Sequence, residues 1–229
     1  MDSYTQFRAV AAFGVLFTLW WLEAWLPFWH EGTDGKSRRR HAARNLTITA
    51  LHVAAMALAF ASVTSLTARW AEAAGFGLLR WAPDMPVALS TVVAVVLMDG
   101  WMYVWHRMNH VVPFLWRFHR VHHSDPHMDV TTATRFHPGE IALSAVLRLG
   151  VIALLGMSVS QVVVYGLLHL PFIQFHHSNV RLPEGVDRLL RALVVSPSMH
   201  RVHHSRYRPE TDSNYSSILS LWDRLARTY

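Results

Sequence analysis

Two six-residue stretches of this chain are identical: His119-Arg120-Val121-His122-His123-Ser124 and His200-Arg201-Val202-His203-His204-Ser205. There are 16 His among 229 residues. At that frequency chance supplies about 0.1 copies of His-x-x-His-His in such a length. A third element, His106-Arg107-Met108-Asn109-His110, places His at i and i+4. On a helix, positions i, i+3 and i+4 share one face. The imidazoles of each element can therefore converge on a point, as helical His pairs do at metals. The three elements supply eight His, more than the roughly four to six ligands one ion takes, so the pattern suggests two metals. Imidazole suits iron, zinc, copper and nickel alike.

Two further His flank an apolar stretch and could add ligands. His137 precedes it in His137-Pro138-Gly139-Glu140, and His177 follows it in His176-His177-Ser178-Asn179. His137 reads equally well as a supporting residue. A ligating His usually donates its other N–H to a carboxylate or carbonyl. Asp99, Glu140, Asn179 and Asp212 are the expected acceptors, with Asp125 also nearby in sequence. The isolated His30, His41, His52, His127 and His169 read as structural.

Such motifs need helices to hold them. Apolar residues make up 52% of the chain and charged residues 16%, with a mean hydropathy of +0.20. That composition argues against a soluble globular domain and against disorder. There is no Cys, which excludes disulfides, thiolate nucleophiles and Cys-held zinc or iron–sulfur clusters. The net charge of +6 fits loops facing lipid headgroups better than nucleic acid.

Ala9–Phe28 is long enough to span a bilayer and ends in a Trp cluster. A signal peptide is the weaker reading, since the cationic start is slight and no Ala-x-Ala follows. Leu46–Ala68 and Val87–Trp105 are two more runs. The loop between the first two carries Lys36, Arg38, Arg39, Arg40 and Arg44; the next carries Arg69 and Arg80. That asymmetry puts the N-terminus outside and the His region on the cytoplasmic side. Ile141–Phe175 could be one span, or a helical hairpin turning at Gly156–Ser160. If both repeated triplets hold the same metals, this stretch must cross an even number of times or not at all, which selects the hairpin. The expected fold is an all-α integral membrane protein of about three spanning helices plus a helical hairpin, with a cytoplasmic histidine-rich helical cap. Its two regions are 1–86, carrying N-terminal spans and loops, and 87–229, carrying the His motifs and a membrane hairpin at about 141–175.

These residues resemble the fatty acid hydroxylase/sterol desaturase superfamily. The resemblance covers about Val87–Tyr229. It includes Asp99-Gly100-Trp101-Met102-Tyr103-Val104-Trp105-His106, Trp116-Arg117-Phe118-His119, Arg135-Phe136-His137-Pro138-Gly139-Glu140, Asp212-Ser213-Asn214-Tyr215 and Leu221-Trp222-Asp223-Arg224-Leu225. It implies a non-haem di-iron oxygenase that uses O₂ and external electrons to hydroxylate or desaturate a lipid, sterol or related alkyl substrate. Zinc could replace iron on purification. The implied ligands are His106, His110, His119, His122, His123, His200, His203 and His204, with His177 and then His137 as additions. Two departures stand out. The chain ends Ala226-Arg227-Thr228-Tyr229 where the family resembles Phe-Gly-Thr-Tyr, and Ser216 stands where Gly usually follows Asn-Tyr.

An unactivated C–H bond needs an oxidant that side chains cannot supply. No Gly-x-Gly-x-x-Gly or haem-attachment motif is present, so electrons are expected from a separate electron-transfer protein. A membrane metal transporter or metal-binding protein is the competing class, but its sites would lie near the midplane of the spans. A zinc hydrolase would need a positioned acid or base, and no His-Glu-x-x-His occurs.

Overall fold

The computed structural model describes the backbone of residues 3–30 and 35–229, and their side chains except at 3–9, 52, 53, 55, 57–59 and 61. His52 is among those exceptions, so its expected structural role lies outside the described side chains. The chain is all-helical, with no strand among the described residues beyond isolated bridges. The helices are α1 (Ser3–Trp25), α2 (Gly35–Ala73), α3 (Val87–Val111), α4 (Pro113–His123), α5 (Pro138–Leu155), α6 (Val159–His177), α7 (Glu184–Leu193), α8 (Pro197–His203), α9 (Arg208–Thr211) and α10 (Leu221–Ala226). Among the described residues two of them, α3 and α5, are long and apolar enough to cross a membrane, and Val10–Trp25 is a shorter apolar stretch.

Local sequence explains the helix ends. Val112 is extended and Pro113 opens α4, so the α3–α4 break falls where the ring forbids continuation. Nothing breaks the helix earlier, so α3 runs past the expected end at Trp105 and carries His106 and His110 on its last turns. The hairpin turn is made by Gly156, left-handed at φ 68°, and by a Ser158–Gln161 capping box. The two arms do not lie side by side. α5 packs along α2, whereas α6 packs along α1 and α3. Both arms still meet the His region at their far ends.

The basic segment Lys36–Arg44 is not a loop. It forms the first turns of α2, because Lys, Arg and Ala are all good helix formers and no breaker follows Gly35. At about 1.5 Å per residue this helix is far longer than a bilayer core, and its basic start lies at one end of the bundle, where Arg38 packs on Trp20 and Glu23. That is the end where the His motifs gather. At the other end Gly77, at φ 112°, touches Gly156: an added Cβ at Gly77 would lie 2.2 Å from the Gly156 nitrogen. Exposed tryptophans mark both ends, with Trp21, Trp25 and Trp29 at one and Trp70 and Trp81 at the other.

The apolar core joins Ala94 and Met98 of α3 to Ile152, Met157, Tyr165 and Ile218. At the His end, polar residues of α1 and α2 hold the loops that carry the motifs. The buried Glu23 carboxylate accepts from the backbone N–H of Val130 and of Asn179, each at 2.7 Å, and from Arg38 at 2.9 Å. His41 sits between Asp125 (2.7 Å) and Asp129 (3.0 Å). Asn45 donates to Asp125 and Thr131. Burial disfavours charge on His41, but the two carboxylate hydrogen bonds outweigh it and raise its pKa to about 9.

Candidate metal centre

Nine of the predicted His gather into two groups whose ring nitrogens lie within 4.8 Å of one another. The first holds His106, His110, His119, His123 and His203; the second holds His122, His177, His200 and His204. The division cuts across the repeats. Neighbours on a helix project about 100° apart, so His122 and His123 of α4 serve different groups, as do His203 and His204 at the end of α8.

The partners of Nδ1 decide what these rings can do. His106 Nδ1 donates to the Tyr215 carbonyl at 2.8 Å, His119 to Glu140 Oε1 at 2.8 Å, and His122 to the Arg135 carbonyl at 3.2 Å. His177 donates to the Ile173 carbonyl at 2.8 Å and His203 to the Ser213 carbonyl at 2.6 Å. His110 Nδ1 lies 3.4 Å from Asp212. A neutral imidazole with its proton on Nδ1 presents a bare lone pair on Nε2. Nε2 of His106, His110, His119, His123, His203 and His204 is buried and makes no hydrogen bond within the protein.

In the second group Nε2 of His177 lies 3.0 Å from Nε2 of both His122 and His200. His122 and His177 have already placed their protons on Nδ1, so two lone pairs face each other. Such a pair repels unless a cation lies between. Protonation is not the remedy: burial, then neighbouring imidazoles, push His122, His200 and His204 well below the usual histidine range. Burial does the same to His123 and His203 of the first group. The donor set fits two borderline metal ions, one to each group.

Some expected residues stand elsewhere. His137 joins neither group. Its Nδ1 accepts from Gly139 N–H at 3.0 Å and caps α5, while its ring packs on Phe118. Asp99 does not meet a ligand. Its carboxylate accepts from the backbone of Ile218 and Leu219 and from Trp222 Nε1, since three backbone and indole donors satisfy it where it is buried. It therefore steadies the segment whose Tyr215 carbonyl receives His106. Asn179 ties to Trp29, donating to its carbonyl and accepting its N–H. Glu140 alone makes the expected hydrogen bond, and Asp212 lies near His110. The carbonyls of Tyr215, Arg135, Ile173 and Ser213 carry no side-chain signal and were invisible in sequence. His176 is buried with its ring centroid 4.1 Å from that of His200, outside both groups.

Two cavities reach the cluster through different histidines. One of about 610 Å³ is lined by charged residues such as Glu23, Arg38 and Asp125 as well as apolar ones, and reaches His123 and His204. The other, about 180 Å³, lies between α3, α5 and α6 and is lined by His106, His119 and His122 together with Trp105, Phe136 and Ile173.

Comparison with known proteins bears on this geometry. The model of the family described as fatty acid hydroxylase matches residues 91–228. The chain is 30% identical over 149 residues to an ornithine lipid hydroxylase of Rhizobium tropici, covering 65% of this chain and 44% of that protein. It is 32% identical over 133 residues to the alkylglycerol monooxygenase of Homo sapiens, covering 57% and 28% respectively. It is 30% identical over 159 residues to a cholesterol 25-hydroxylase-like protein of Danio rerio, covering 66% and 57%. The matches thus span about a quarter to just over half of these relatives' length. No solved structure matches the chain.

Proposed function

This chain belongs to the fatty acid hydroxylase family, and from that premise we propose that it is a membrane monooxygenase hydroxylating a C–H bond of a lipid or sterol-like substrate, with one iron ion in each histidine group. The observation that carries the reading is the set of Nδ1 hydrogen bonds, which turns bare Nε2 lone pairs inward from α3, α4, α6 and α8. The relatives named above are hydroxylases and a monooxygenase, which favours hydroxylation over desaturation. Iron, when bound, supplies the O₂ chemistry that an unactivated C–H bond requires. One oxygen atom enters the C–H bond to give C–OH. The other leaves as water, consuming two protons and two electrons delivered by a separate electron-transfer protein.

The protein's own residues set the conditions. Burial keeps His122, His123, His200, His203 and His204 neutral, so protons do not compete with metal there. The smaller cavity presents the substrate's carbon to the cluster between Trp105, Phe136 and Ile173 and excludes bulk water. The apolar helices and the two tiers of exposed Trp support a bilayer setting, and on this reading the basic start of α2 and the His end face the cytoplasm while the N-terminus lies outside. A transporter reading fits less well, because the His groups lie at one end of the bundle rather than at mid-depth.

The test uses the chain purified with iron, an electron donor and a lipid extract under ¹⁸O₂, read by mass spectrometry and metal content. We expect about two irons per chain and one ¹⁸O in the product. His122→Ala and His203→Ala, one from each group, should abolish product, and His52→Ala should not. Full O₂-dependent product from both ligand variants would refute the assignment.

A further inference from the structure

Residues 141–175 contain one charged side chain, Arg148. It stands on α5, and a cation in a membrane-crossing helix is costly enough to mark function. Arg148 lines the same 180 Å³ cavity as the ligands His106, His119 and His122. Ser144, one turn earlier on the same face of α5, also lines it, and so does His169 across the gap on α6. His169 Nε2 is buried and makes no hydrogen bond within the protein, and the same is true of the Tyr165 hydroxyl one turn away. The two rings stack at 5.0 Å and 28°. A guanidinium, a hydroxyl and a ring nitrogen thus stand on the cavity wall, with the Tyr165 hydroxyl one turn from His169.

All of these groups can donate hydrogen bonds, and the guanidinium can only donate. Their common complement is an acceptor-only group with negative charge. The cavity is also polarised along its length. Glu140, bonded to His119, lies at the cluster end, eight residues or about 12 Å along α5 from Arg148. An anion is repelled there and attracted at Arg148. On the hydroxylase reading above, we propose that Arg148, Ser144 and His169 form a subsite for a carboxylate or phosphate group of the substrate, holding that end away from the metals. The substrate is then an anionic amphiphile rather than a neutral sterol or hydrocarbon.

The experiment uses the iron-loaded chain in phosphatidylcholine nanodiscs and three radiolabelled probes: hexadecanoate, hexadecyl phosphate and methyl hexadecanoate. At least one anionic probe should bind about ten-fold more tightly than the neutral ester, as a charge-assisted hydrogen bond implies. The tighter of the two tells whether the group comes from a carboxylate or a phosphate source. Arg148→Gln should remove that advantage and leave ester binding unchanged, whereas Arg148→Lys should keep most of it. Equal affinities for all three probes on the wild-type protein overturn the proposal, even where the Gln variant fails to fold. An advantage that survives in Arg148→Gln overturns it too. Product and iron content are read on the same preparations. Product without anion preference refutes the subsite and leaves hydroxylation standing. Anion preference without product does the reverse.

Discussion

Glu140 offers a sharp test of how the cluster is tuned. Its Oε1 accepts from His119 Nδ1 at 2.8 Å, with both residues buried. A hydrogen bond to a charged group contributes about 1.5–3 kcal/mol, equivalent to roughly ten- to hundred-fold in affinity. Loss of such an outer partner costs metal affinity on that scale at other sites. Glu140→Gln keeps an acceptor and loses the charge, so about a ten-fold loss is expected. Glu140→Ala removes both and should approach a hundred-fold loss. His119 belongs to the five-histidine group, so only one of the two metals should weaken. Titrating the metal-free variants with Fe(II) or Co(II) against a competing chelator, with metal content after dialysis, reads this directly. If Glu140→Ala holds both metals with wild-type affinity, the carboxylate does not orient His119. If both metals weaken equally, the two groups are not separate sites.

Three other outcomes are expected. His41 has its pKa raised to about 9 by two carboxylates, so the stability it contributes is complete below about pH 6.5 and fades as pH rises through 9; His41→Gln should flatten that part of the melting-temperature profile. Arg227 is left-handed at φ 57°; Arg227→Gly should raise stability by about 1 kcal/mol, seen as a higher melting temperature. Gly77→Val places atoms into the Gly156 backbone at the far end of the bundle; it should lower the melting temperature clearly, and an unchanged value would show that this contact is not made.

Much of the site could be read from sequence because helical spacing turns His positions into directions. The triplets at 119–123 and 200–204, the pair at 106–110 and His177 all reach the cluster. The turn at Gly156–Ser158 was also legible, since a left-handed glycine and a capping serine leave local signatures. What was hidden depends on the third dimension. Which of the two groups each His joins follows from how α4 and α8 are rotated against α3 and α6. The partners of Nδ1 are mostly main-chain carbonyls, which every residue has. Asp99 looked like an outer partner because it is an acid near a span end, yet the nearest unpaired donors belonged to the backbone at 218–219. The basic segment 36–44 has the charge density of a loop, yet its Lys, Arg and Ala are good helix formers and nothing after Gly35 breaks the helix.

The ties from Glu23 and His41 into the His-bearing loops bear on how this histidine-rich region could be moved between proteins. The matched family region begins at residue 91, so a recombination event or an engineer would cut just before α3. Such a cut would leave the buried amides of Val130 and Asn179 without an acceptor, and Asp125 and Asp129 facing each other without their shared imidazole. Each orphaned buried group costs about 1–3 kcal/mol, a large share of the stability of an ordinary domain. A transplanted region would need a replacement acid and base at the same two points. The boundary that sequence similarity draws is therefore not a line along which the molecule can be divided.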